Sequence, residues 1–309
     1  MSLSVVIPTH NTRDLTLRCV ETLEAEGTTA EIVVVDDGGS DGTAEALAAH
    51  DVQVLHQSPA GGFTRAANLG LARARGEILL LLNSDTEVSP GSLEALLAAF
   101  DRDPELGVAG AALHYPDGSP QWSGGRAPSL LWLFGLTSGL PRLLARLPRW
   151  RRVKPVGAAP GQVDWVTGAA LAMRRRVWEQ VGPLDERFRF YAQDLDLCLR
   201  AGAAGWKVEL LPEVRVMHHH GATISRDPES WGRQNAELLW TDLLRWARKS
   251  RGESWGRRAA LAMRFGAALR LAGRGVAGWL VPPAKRPDWR AESQALRRAA
   301  RGLGRVSSE

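Results

Sequence analysis

Residues 30–43 read AEIVVVDDGGSDGT, a strand-like run that passes through two carboxylates and a glycine-rich turn into a helical pattern. The β-branched residues at 30–35 predict a strand buried on both faces of a sheet. Asp36 and Asp37 follow that strand directly, and the pattern at 41–50 is typical of a helix. A strand that leads through polar residues into a helix is the repeating unit of parallel α/β sheets.

The same unit recurs on both sides of this stretch. Further strands are predicted at 3–7, 52–56 and 78–82, and helices at 12–26 and 63–75. This alternation predicts an α/β fold with a mostly parallel central sheet flanked by helices. Ligands of such sheets lie beyond the carboxyl ends of the strands. The candidate site residues are therefore those that follow the strands: Pro8, Thr9, His10, Asn11, Asp36, Asp37, Asn83, Ser84 and Asp85.

Composition indicates a globular protein. The 309 residues are 44% hydrophobic and 24% charged, which suffices for a full core. The sequence has neither a signal-peptide pattern nor an apolar run near the roughly 18 residues of a membrane span. Cys19 and Cys198 lie far apart without metal-ligand spacing, which suits a reducing compartment. We therefore expect a cytoplasmic protein.

The second half of the chain is less regular. Residues 117–161 are rich in Pro, Gly, Arg and Trp without a steady period, which predicts variable loops and short helices around an acceptor-side cleft. A strand is predicted at 163–173 and a helix at 175–181, followed later by helices at 231–249 and 253–280. We expect one catalytic domain and a helical C-terminal extension, divided as 1–227 and 228–309.

Carboxylates that converge at one edge of the sheet suit a nucleotide diphosphate. Asp36 can accept hydrogen bonds from the base or ribose, and Asp85 can hold the hard divalent cation that neutralises the diphosphate. The alternative is that acids such as Asp37 and Asp41 only cap the next helix. Capping is the favoured role for Asp41, but not for Asp36, because an acid at a buried strand end usually has a ligand.

Two blocks of ordered motifs carry a family resemblance. The first block comprises VVIPTHN at 5–11, VVVDDGGSDGT at 33–43 and LNSD at 82–85. The second comprises VTGAALAMRR at 166–175, VGPLDERF at 181–188, YAQDLDLCLR at 191–200 and HHHG at 218–221. This pattern, over roughly residues 3 to 225, resembles the rhamnosyltransferase-like branch of the family 2 glycosyltransferases.

The resemblance implies a GT-A fold and an inverting, single-displacement transfer from a nucleotide-diphosphate sugar, with rhamnose as the favoured sugar. It implies Mn²⁺ or Mg²⁺ as cofactor, a glycan or polyprenyl-linked acceptor, and no nucleic-acid partner. The resemblance implies Asp36 as a ligand of the base or ribose, Asp85 as a metal ligand, His218 as a ligand of the metal or the diphosphate, and Asp194 as the general base. Their positions at the strand ends add Pro8, Thr9, Asn11, Asp37, Asn83 and Ser84 as nucleotide-sugar ligands. Arg65, in the helix predicted at 63–75, either faces the diphosphate or is solvated. On the acceptor side we expect Trp165, Gly168 and Gln193, and the alternative for Trp165 is ordinary core packing.

The chemistry of the reaction agrees with the role of Asp194. Direct displacement at an anomeric carbon needs a base on the face opposite the leaving group, because a hydroxyl is a poor nucleophile until its proton is removed. The apolar neighbours Tyr191 and Leu195 favour a raised pKa for the Asp194 carboxyl. The alternative is a helix N-terminal acid, a role that Asp185 and Asp196 can also fill.

The sequence departs from the family pattern at the metal and base motifs. Asn83-Ser84-Asp85 offers only one carboxylate where the family usually has two, and Gln193-Asp194 stands where Glu-Asp is common. Three consecutive histidines follow a strand-like run, and His218 is the favoured ligand among them because consecutive histidines chelate awkwardly.

The C-terminal helices combine apolar and basic residues. Residues Leu261, Phe265, Ala268, Ala272, Val276 and Trp279 lie on one helical stripe, with Arg257, Arg258, Arg264, Arg270 and Arg274 elsewhere around the helix. Such a helix suits a membrane interface, a site on the catalytic domain or a second subunit of a homodimer, and the sequence leaves these open. The net charge of +5 likewise leaves nucleic acid, anionic lipid and polyanionic substrates open.

Two other functions compete with glycosyl transfer. A nucleotidyltransferase also recognises a nucleotide at the edge of an α/β sheet, but its Gly-rich, Arg-containing loop does not follow the first predicted strand. A nucleotide-sugar or glycan binding protein with a degraded site is the second alternative. The three acids Asp36, Asp85 and Asp194 argue against it.

Overall fold

The computed structural model describes residues 1–27, 29–141, 161–188, 190–219, 235–280, 282 and 286–306. These residues form two compact units. The first unit contains 1–127, 161–188 and 193–219, and the second contains 128–141, 190–192 and the residues described from 235 onwards. A helix at 130–138 therefore belongs to the second unit, although the sequence grouped 117–161 with the catalytic domain. The predicted boundary at 227/228 lies outside the described residues.

The first unit is built on a nine-stranded mixed sheet. The strands of this unit are β1 Leu3–Thr9, β2 Ala30–Asp36, β3 Gln53–His56, β4 Ile78–Leu82, β5 Thr86–Val88, β6 Leu106–His114, β7 Gly124–Gly125, β8 Gly161–Gln162, β9 Trp165–Val166, β10 Ala170–Arg174 and β11 Lys207–His218. Its helices are α1 Arg13–Ala25, α2 Thr43–Ala46, α3 Phe63–Arg73, α4 Ser92–Arg102, α6 Arg175–Val181 and α7 Gln193–Ala203. The second unit contains α5 Leu130–Ser138, α8 Ala236–Arg251, α9 Glu253–Ala277 and α10 Arg286–Gly302.

The sheet has the strand order β3-β2-β1-β4-β10-β6-β11-β5, with β8 paired to β11. Strands β1 to β4 are parallel to one another, as the sequence predicts. Strand β10 runs antiparallel between β4 and β6, and β11 is parallel to β6. The register pairs Thr9 with Asp36 and Asp36 with His56, so three polar strand ends meet at one edge.

The core of the sheet is apolar on both faces, as its sequence predicts. Val5, Ile7, Val34 and Leu82 are fully buried. Gly70 of α3 allows that helix to lie directly on the sheet, because an added Cβ would lie 2.3 Å from Val6 Cγ1. Burial of this kind on both faces is typical of a sheet covered by helices.

Three predicted elements differ from the observed ones. The predicted strand at 163–173 is two short strands, β9 and β10, because the backbone N–H of Gly168 between them donates to a side chain instead of to a neighbouring strand. The predicted helix at 41–50 is one α-helical turn followed by the 3₁₀ turn Leu47–Ala49. The predicted helix at 253–280 ends at Ala277, followed by a 3₁₀ turn at Gly278–Leu280.

Two further features of the described residues agree with the composition. Cys19 and Cys198 are free and buried, and burial raises the pKa of the Cys19 thiol to about 12. Among the helices of the described residues, none combines the length and hydrophobicity needed to cross a membrane.

Candidate active site

Buried hydroxyl groups connect the ends of β1 and β4. Thr9 Oγ1 lies 2.9 Å from Thr12 Oγ1 and 2.8 Å from Thr16 Oγ1, and Thr12 Oγ1 lies 3.0 Å from Ser84 Oγ. Pro8 is buried within β1, opposite Val35. The predicted donor-side residues Thr9 and Ser84 thus lie together, and their hydroxyl groups fix α1 against two strand ends.

Asp36 ends β2 and is buried at the sheet edge. Its Oδ1 accepts a hydrogen bond of 2.8 Å from the backbone N–H of Gly39, and its Oδ2 lies 3.3 Å from Nδ1 of the exposed His56. A Cβ at position 39 would lie 2.5 Å from Asp36 Oδ1, so the turn requires glycine there. The carboxylate is therefore held firmly, with acceptor capacity left for a ligand.

Asp37 holds the loop that leads into α3. Its Oδ1 accepts hydrogen bonds of 2.6 Å from Gln57 Nε2 and from the backbone N–H of Gly61, and its Oδ2 accepts one of 2.7 Å from Gly62 N–H. The exposed Arg65 has its Cδ beside Gly61, 2.6 Å from where a Cβ would be. Asp37 thus positions the loop that leads into α3, the helix that contains Arg65, a role that the sequence did not indicate.

Asn11 joins the ends of the first two strands. It has a left-handed backbone, with φ of 53°, and its Oδ1 accepts a hydrogen bond of 2.8 Å from Ser40 N–H. His10, which carried no predicted role, lies with Nδ1 2.8 Å from the carbonyl oxygen of Asp37. Asp41 caps locally, since its carboxylate accepts from the N–H groups of Arg13 and Thr43. The first two strand ends therefore form one ordered polar surface.

Asp85 is a buried carboxylate without a hydrogen-bond donor among the described residues. Its side chain is 1% exposed, and neither of its oxygens has a hydrogen-bond partner. The same is true of Asn83 Oδ1. The imidazole of His218 lies beside Asp85, with Nε2 3.3 Å from Asp85 Oδ1. A buried carboxylate is costly unless a donor or a cation compensates it, so this site fits a cation.

The orientation of His218 is set by Gln121, a residue that the sequence analysis did not single out. The amide nitrogen of Gln121 donates to the carbonyl oxygens of His218 at 2.5 Å and His114 at 3.3 Å. The amide oxygen therefore faces His218 Nδ1 at 3.0 Å and accepts a hydrogen bond from the Nδ1–H group. In the neutral imidazole this directs the unprotonated Nε2 toward Asp85, the arrangement typical of a metal-ligating histidine.

The neighbouring His219 contacts a different carboxylate. His219 Nε2 lies 2.8 Å from Glu87 Oε1, while its backbone N–H donates to the carbonyl oxygen of Asp85. His220 lies outside the described residues. Across the part of the chain that the structure describes, no group of three or more His, Cys, Asp or Glu side chains is arranged to hold a metal ion. Any ion at Asp85 and His218 would thus need further ligands from elsewhere.

Asp194 lies in the first turn of α7 and accepts two backbone hydrogen bonds. Its Oδ2 accepts from Gly168 N–H and its Oδ1 from Leu195 N–H, both at 2.8 Å. Burial raises the pKa of the Asp194 carboxyl above its ordinary value, and the two N–H donors oppose that rise. Gln193 beside it is buried, and its Oε1 has no partner among the described residues. The side chain of Asp194 is thus partly buried, and the two N–H donors hold its carboxylate in one orientation.

Trp165 is a packed residue with a satisfied indole. It is 8% exposed, and its N–H donates to the carbonyl oxygen of Arg126 at 3.2 Å. Trp122 meets it edge to face with ring centroids 4.9 Å apart and is itself 38% exposed. Of this pair, Trp122 offers the larger accessible face to a sugar. Trp165 was a candidate because it lies three residues before Gly168 in the sequence. Nearness in sequence does not show how much of a side chain is exposed.

Two backbone N–H groups connect the end of β4 to Asp194 through Ala169 and Gly168. The backbone N–H of Asn83 donates to the carbonyl oxygen of Ala169 at 3.0 Å, and the adjacent Gly168 N–H donates to Asp194. Asn83 is two residues from Asp85, and Ser84 connects to the hydroxyl groups at the end of β1. The structure thus brings the predicted acids to one edge of the sheet.

Comparisons with known proteins agree with this arrangement. The sequence model of "Glycosyl transferase family 2" matches residues 4–181. The N-acetylglucosaminyl-diphospho-decaprenol L-rhamnosyltransferase of Mycobacterium tuberculosis is 33% identical over 218 residues, which cover 64% of this chain and 69% of that protein.

Solved structures support the fold. A mannosyltransferase from Pyrobaculum calidifontis, in complex with GDP-Man and Mn²⁺, has a TM-score of 0.62 at 14% identity and covers 98% of this chain and 85% of its own. GalNAc-T7 with UDP, GalNAc and Mn²⁺ has a TM-score of 0.58 at 18% identity and covers 82% of this chain and 51% of its own. At these identities the likeness concerns the fold alone.

Proposed function

The chain belongs to glycosyltransferase family 2 and has the GT-A fold, and on this premise we propose that it transfers L-rhamnose from a nucleotide diphosphate to a hydroxyl of a polyprenyl-linked sugar, with inversion. The name of the mycobacterial relative supports both the sugar and the acceptor class. The observation that carries the proposal is the partly buried Asp194 carboxylate, whose pKa is raised by burial and whose Oδ2 accepts from Gly168 N–H, at the sheet edge that also holds Asp85.

The donor nucleotide is proposed to bind at the ends of β1 and β2. The held carboxylate of Asp36 accepts hydrogen bonds from the base or ribose, and Asn11 keeps the adjoining turn in shape. Arg65, exposed beside the loop that Asp37 positions, supplies positive charge for the diphosphate. The polar groups between these strand ends therefore fit a nucleotide and its phosphates better than an apolar ligand.

The donor diphosphate is proposed to bind with Mn²⁺ or Mg²⁺ at Asp85 and His218. The 3.3 Å between Asp85 Oδ1 and His218 Nε2 suits this, because adjacent ligands of an octahedral ion lie about 3 Å apart. The unpartnered oxygens of Asp85 are a second indication. Asp85 and His218 would hold the ion, which would supply charge neutralisation for the leaving diphosphate. Two protein ligands suffice when substrate oxygens supply the rest.

Asp194 is proposed to act as the general base. The acceptor O–H proton passes to the Asp194 carboxylate while the acceptor oxygen bonds to the anomeric carbon, and the bond from that carbon to the diphosphate oxygen breaks. Attack from the face opposite the leaving group inverts the configuration. A raised pKa makes the carboxylate a stronger base than an exposed aspartate, which favours this proton transfer.

A transfer assay with matched variants tests the proposal. Thymidine diphosphate rhamnose, a polyprenyl-diphosphate N-acetylglucosamine and Mn²⁺ should give a disaccharide product, with its anomeric configuration read by NMR. Asp194→Asn should lower turnover by about 10²- to 10⁴-fold while donor binding persists.

Asp196→Asn is the matched control in the same helix. Asp196 forms an ion pair of 2.8 Å with Arg200, so this variant should lose thermal stability but keep the turnover of the folded fraction. A chain that binds sugar nucleotides, yields no product, and is indifferent to Asp194→Asn would be a binding protein, which overturns the proposal.

A further inference from the structure

Helix α9 and the 3₁₀ turn that follows it expose a continuous apolar stripe, called the α9 stripe below. The exposed fractions are 68% for Phe265, 75% for Val276 and 88% for Trp279, and Leu261 is exposed to the same degree as Phe265. From Leu261 to Trp279 the stripe runs for about 27 Å at 1.5 Å per residue. Six of the nine large hydrophobic side chains that are exposed in the described residues belong to this unit, four of them on this stripe.

The opposite face of α9 is fixed by close packing on α5. Gly266 lies so near α5 that an added Cβ would be 2.3 Å from Thr137 Oγ1 and 2.7 Å from the carbonyl oxygen of Phe134. Met263 and Ala267 on this face are buried. A rotation of the helix that turned the stripe inward would push larger side chains into that contact. The close packing of α9 on α5 therefore keeps the stripe exposed.

An arginine-lined cavity lies at the end of the stripe. Its volume is about 490 Å³, and its lining includes Arg274, Trp279, Arg286, Trp289, Arg290 and Arg297. None of its lining residues, all within the part of the chain described, is acidic. Trp279 thus belongs both to the stripe and to the cavity wall, so one ligand surface can engage the two together.

Arg274 is held rigidly in the cavity wall. Its guanidinium lies 3.6 Å from the ring centroid of Trp289, forms an ion pair of 3.0 Å with Glu292, and donates to Ser293 Oγ at 2.9 Å. The guanidinium of Arg274 is therefore engaged within the unit. Arg290 and Arg297 also line the cavity, and arginine side chains match the oxygens of a phosphate.

We propose that the C-terminal unit docks on an anionic lipid bilayer, with the α9 stripe in the interface and a lipid phosphate in the arginine-lined cavity. Apolar side chains beside arginines, with tryptophan at the boundary, are what an interfacial helix requires. The cavity is lined by arginines and, among the described residues, by no acidic side chain, so its positive charge is complementary to an anionic surface. This inference does not depend on the transfer reaction, because it concerns binding without donor or acceptor.

A second copy of the chain fits this surface less well. A two-fold contact along α9 would bring the stripe of one chain against the same stripe of the other. The exposed Arg257, Arg258 and Arg264 adjoin the stripe, so such a contact would also bring like charges together. An anionic bilayer instead attracts these same side chains, which is why the observations favour lipid.

Vesicle flotation of the full-length protein tests the inference. The protein should float with vesicles of equal parts phosphatidylcholine and phosphatidylglycerol, and far less with phosphatidylcholine alone. The triple variant Arg286→Gln, Arg290→Gln and Arg297→Gln should weaken binding on the order of 100-fold, since each arginine near an anionic surface contributes about a factor of five. Val276→Ser with Trp279→Ser should weaken it roughly tenfold or more.

The matched control removes the same charge from the first unit. Arg18→Gln, Arg73→Gln and Arg102→Gln alter exposed arginines and should change binding only a few-fold. Equal losses in both arginine triples would indicate non-specific attraction and overturn the cavity assignment. Failure to float with either vesicle, or a dimer in sedimentation velocity that Trp279→Ser dissociates, would overturn the docking proposal.

Discussion

The first unit buries carboxylates and hydroxyl groups at the ends of its strands, whereas the second leaves leucine, phenylalanine, valine and tryptophan side chains exposed along one helix. Each arrangement costs free energy in the isolated chain. A buried carboxylate such as Asp85 requires a cation or a donor, and an exposed stripe such as that of α9 requires an apolar surface. The contrast fits the two different partners proposed above, a cation with its nucleotide for the first unit and a lipid surface for the second.

The largest expected effect concerns Asp85. Asp85→Asn should lower turnover by a factor on the order of 10³, because the ion that neutralises the leaving group loses its carboxylate. Without ligands the melting temperature of this variant should stay level or rise, since a neutral amide costs less to bury than an unpartnered carboxylate. The stabilisation by Mn²⁺ and nucleotide diphosphate in a thermal-shift assay should disappear.

Val276→Ser is the matched control from the other unit. The side chain of Val276 is exposed, so we expect the melting temperature of the variant to stay close to that of the wild type, with or without Mn²⁺ and nucleotide. Asp85→Asn could instead lower the melting temperature of the unliganded protein strongly, which is the effect of breaking a buried ion pair. That result would make Asp85 a structural partner of His218. The contrast between the units would then fail.

The next effect is on pH dependence. Because burial raises the pKa of Asp194, the acid limb of kcat/KM should lie above the ordinary aspartate value of about 3.9. Below that limb the rate should fall about tenfold for each pH unit, since only the carboxylate accepts the proton. A pH profile with its limb at the ordinary aspartate value would contradict a desolvated base.

The same pKa shift predicts a stability difference. A carboxyl whose pKa is raised by folding stabilises the protein below its unfolded pKa, and that contribution is lost as the pH rises through the folded pKa. Asp194→Asn has no charge to desolvate. Denaturant unfolding should therefore show the variant losing less free energy of unfolding than the wild type between acid and neutral pH.

The smallest effect concerns Gln121. Gln121→Leu removes the acceptor that orients His218, and the affinity for Mn²⁺ in the presence of nucleotide diphosphate should fall about tenfold by calorimetry. Gln121→Glu keeps an acceptor opposite Nδ1 and should recover part of the loss. If both variants lost Mn²⁺ affinity and melting temperature to the same extent, Gln121 would act through packing and not by orienting His218.

The parallel half of the sheet was predictable because its signals are local. The runs at 3–7, 30–35 and 78–82 are dense in β-branched and leucine residues, and each is followed directly by polar residues. The predicted strand at 163–173 was wrong in its middle, because Gly168 N–H donates to Asp194, which is distant along the chain. Periodicity cannot report such a bond.

The acids of the site were predictable from family motifs, but their partners were not. Asp37 is predicted as a ligand of the nucleotide, and its sequence context does not indicate that it accepts hydrogen bonds from Gln57, Gly61 and Gly62. Gln121 lies in a segment without periodicity, 97 residues from His218, and nothing local marks it. Hydrogen bonds between distant segments decide which carboxylate oxygens stay available.

The alternation of strands and helices, the polar strand ends and the amphipathic pattern of α9 are predictable from the amino-acid order, because they depend on near neighbours and on fixed helical and strand periods. The folded chain was needed to establish that Asp85 lacks a hydrogen-bond donor among the described residues, that burial raises the pKa of Asp194, and that the apolar stripe of α9 faces outward. Burial and exposure are sums over atoms brought together from distant positions, so no local pattern contains them.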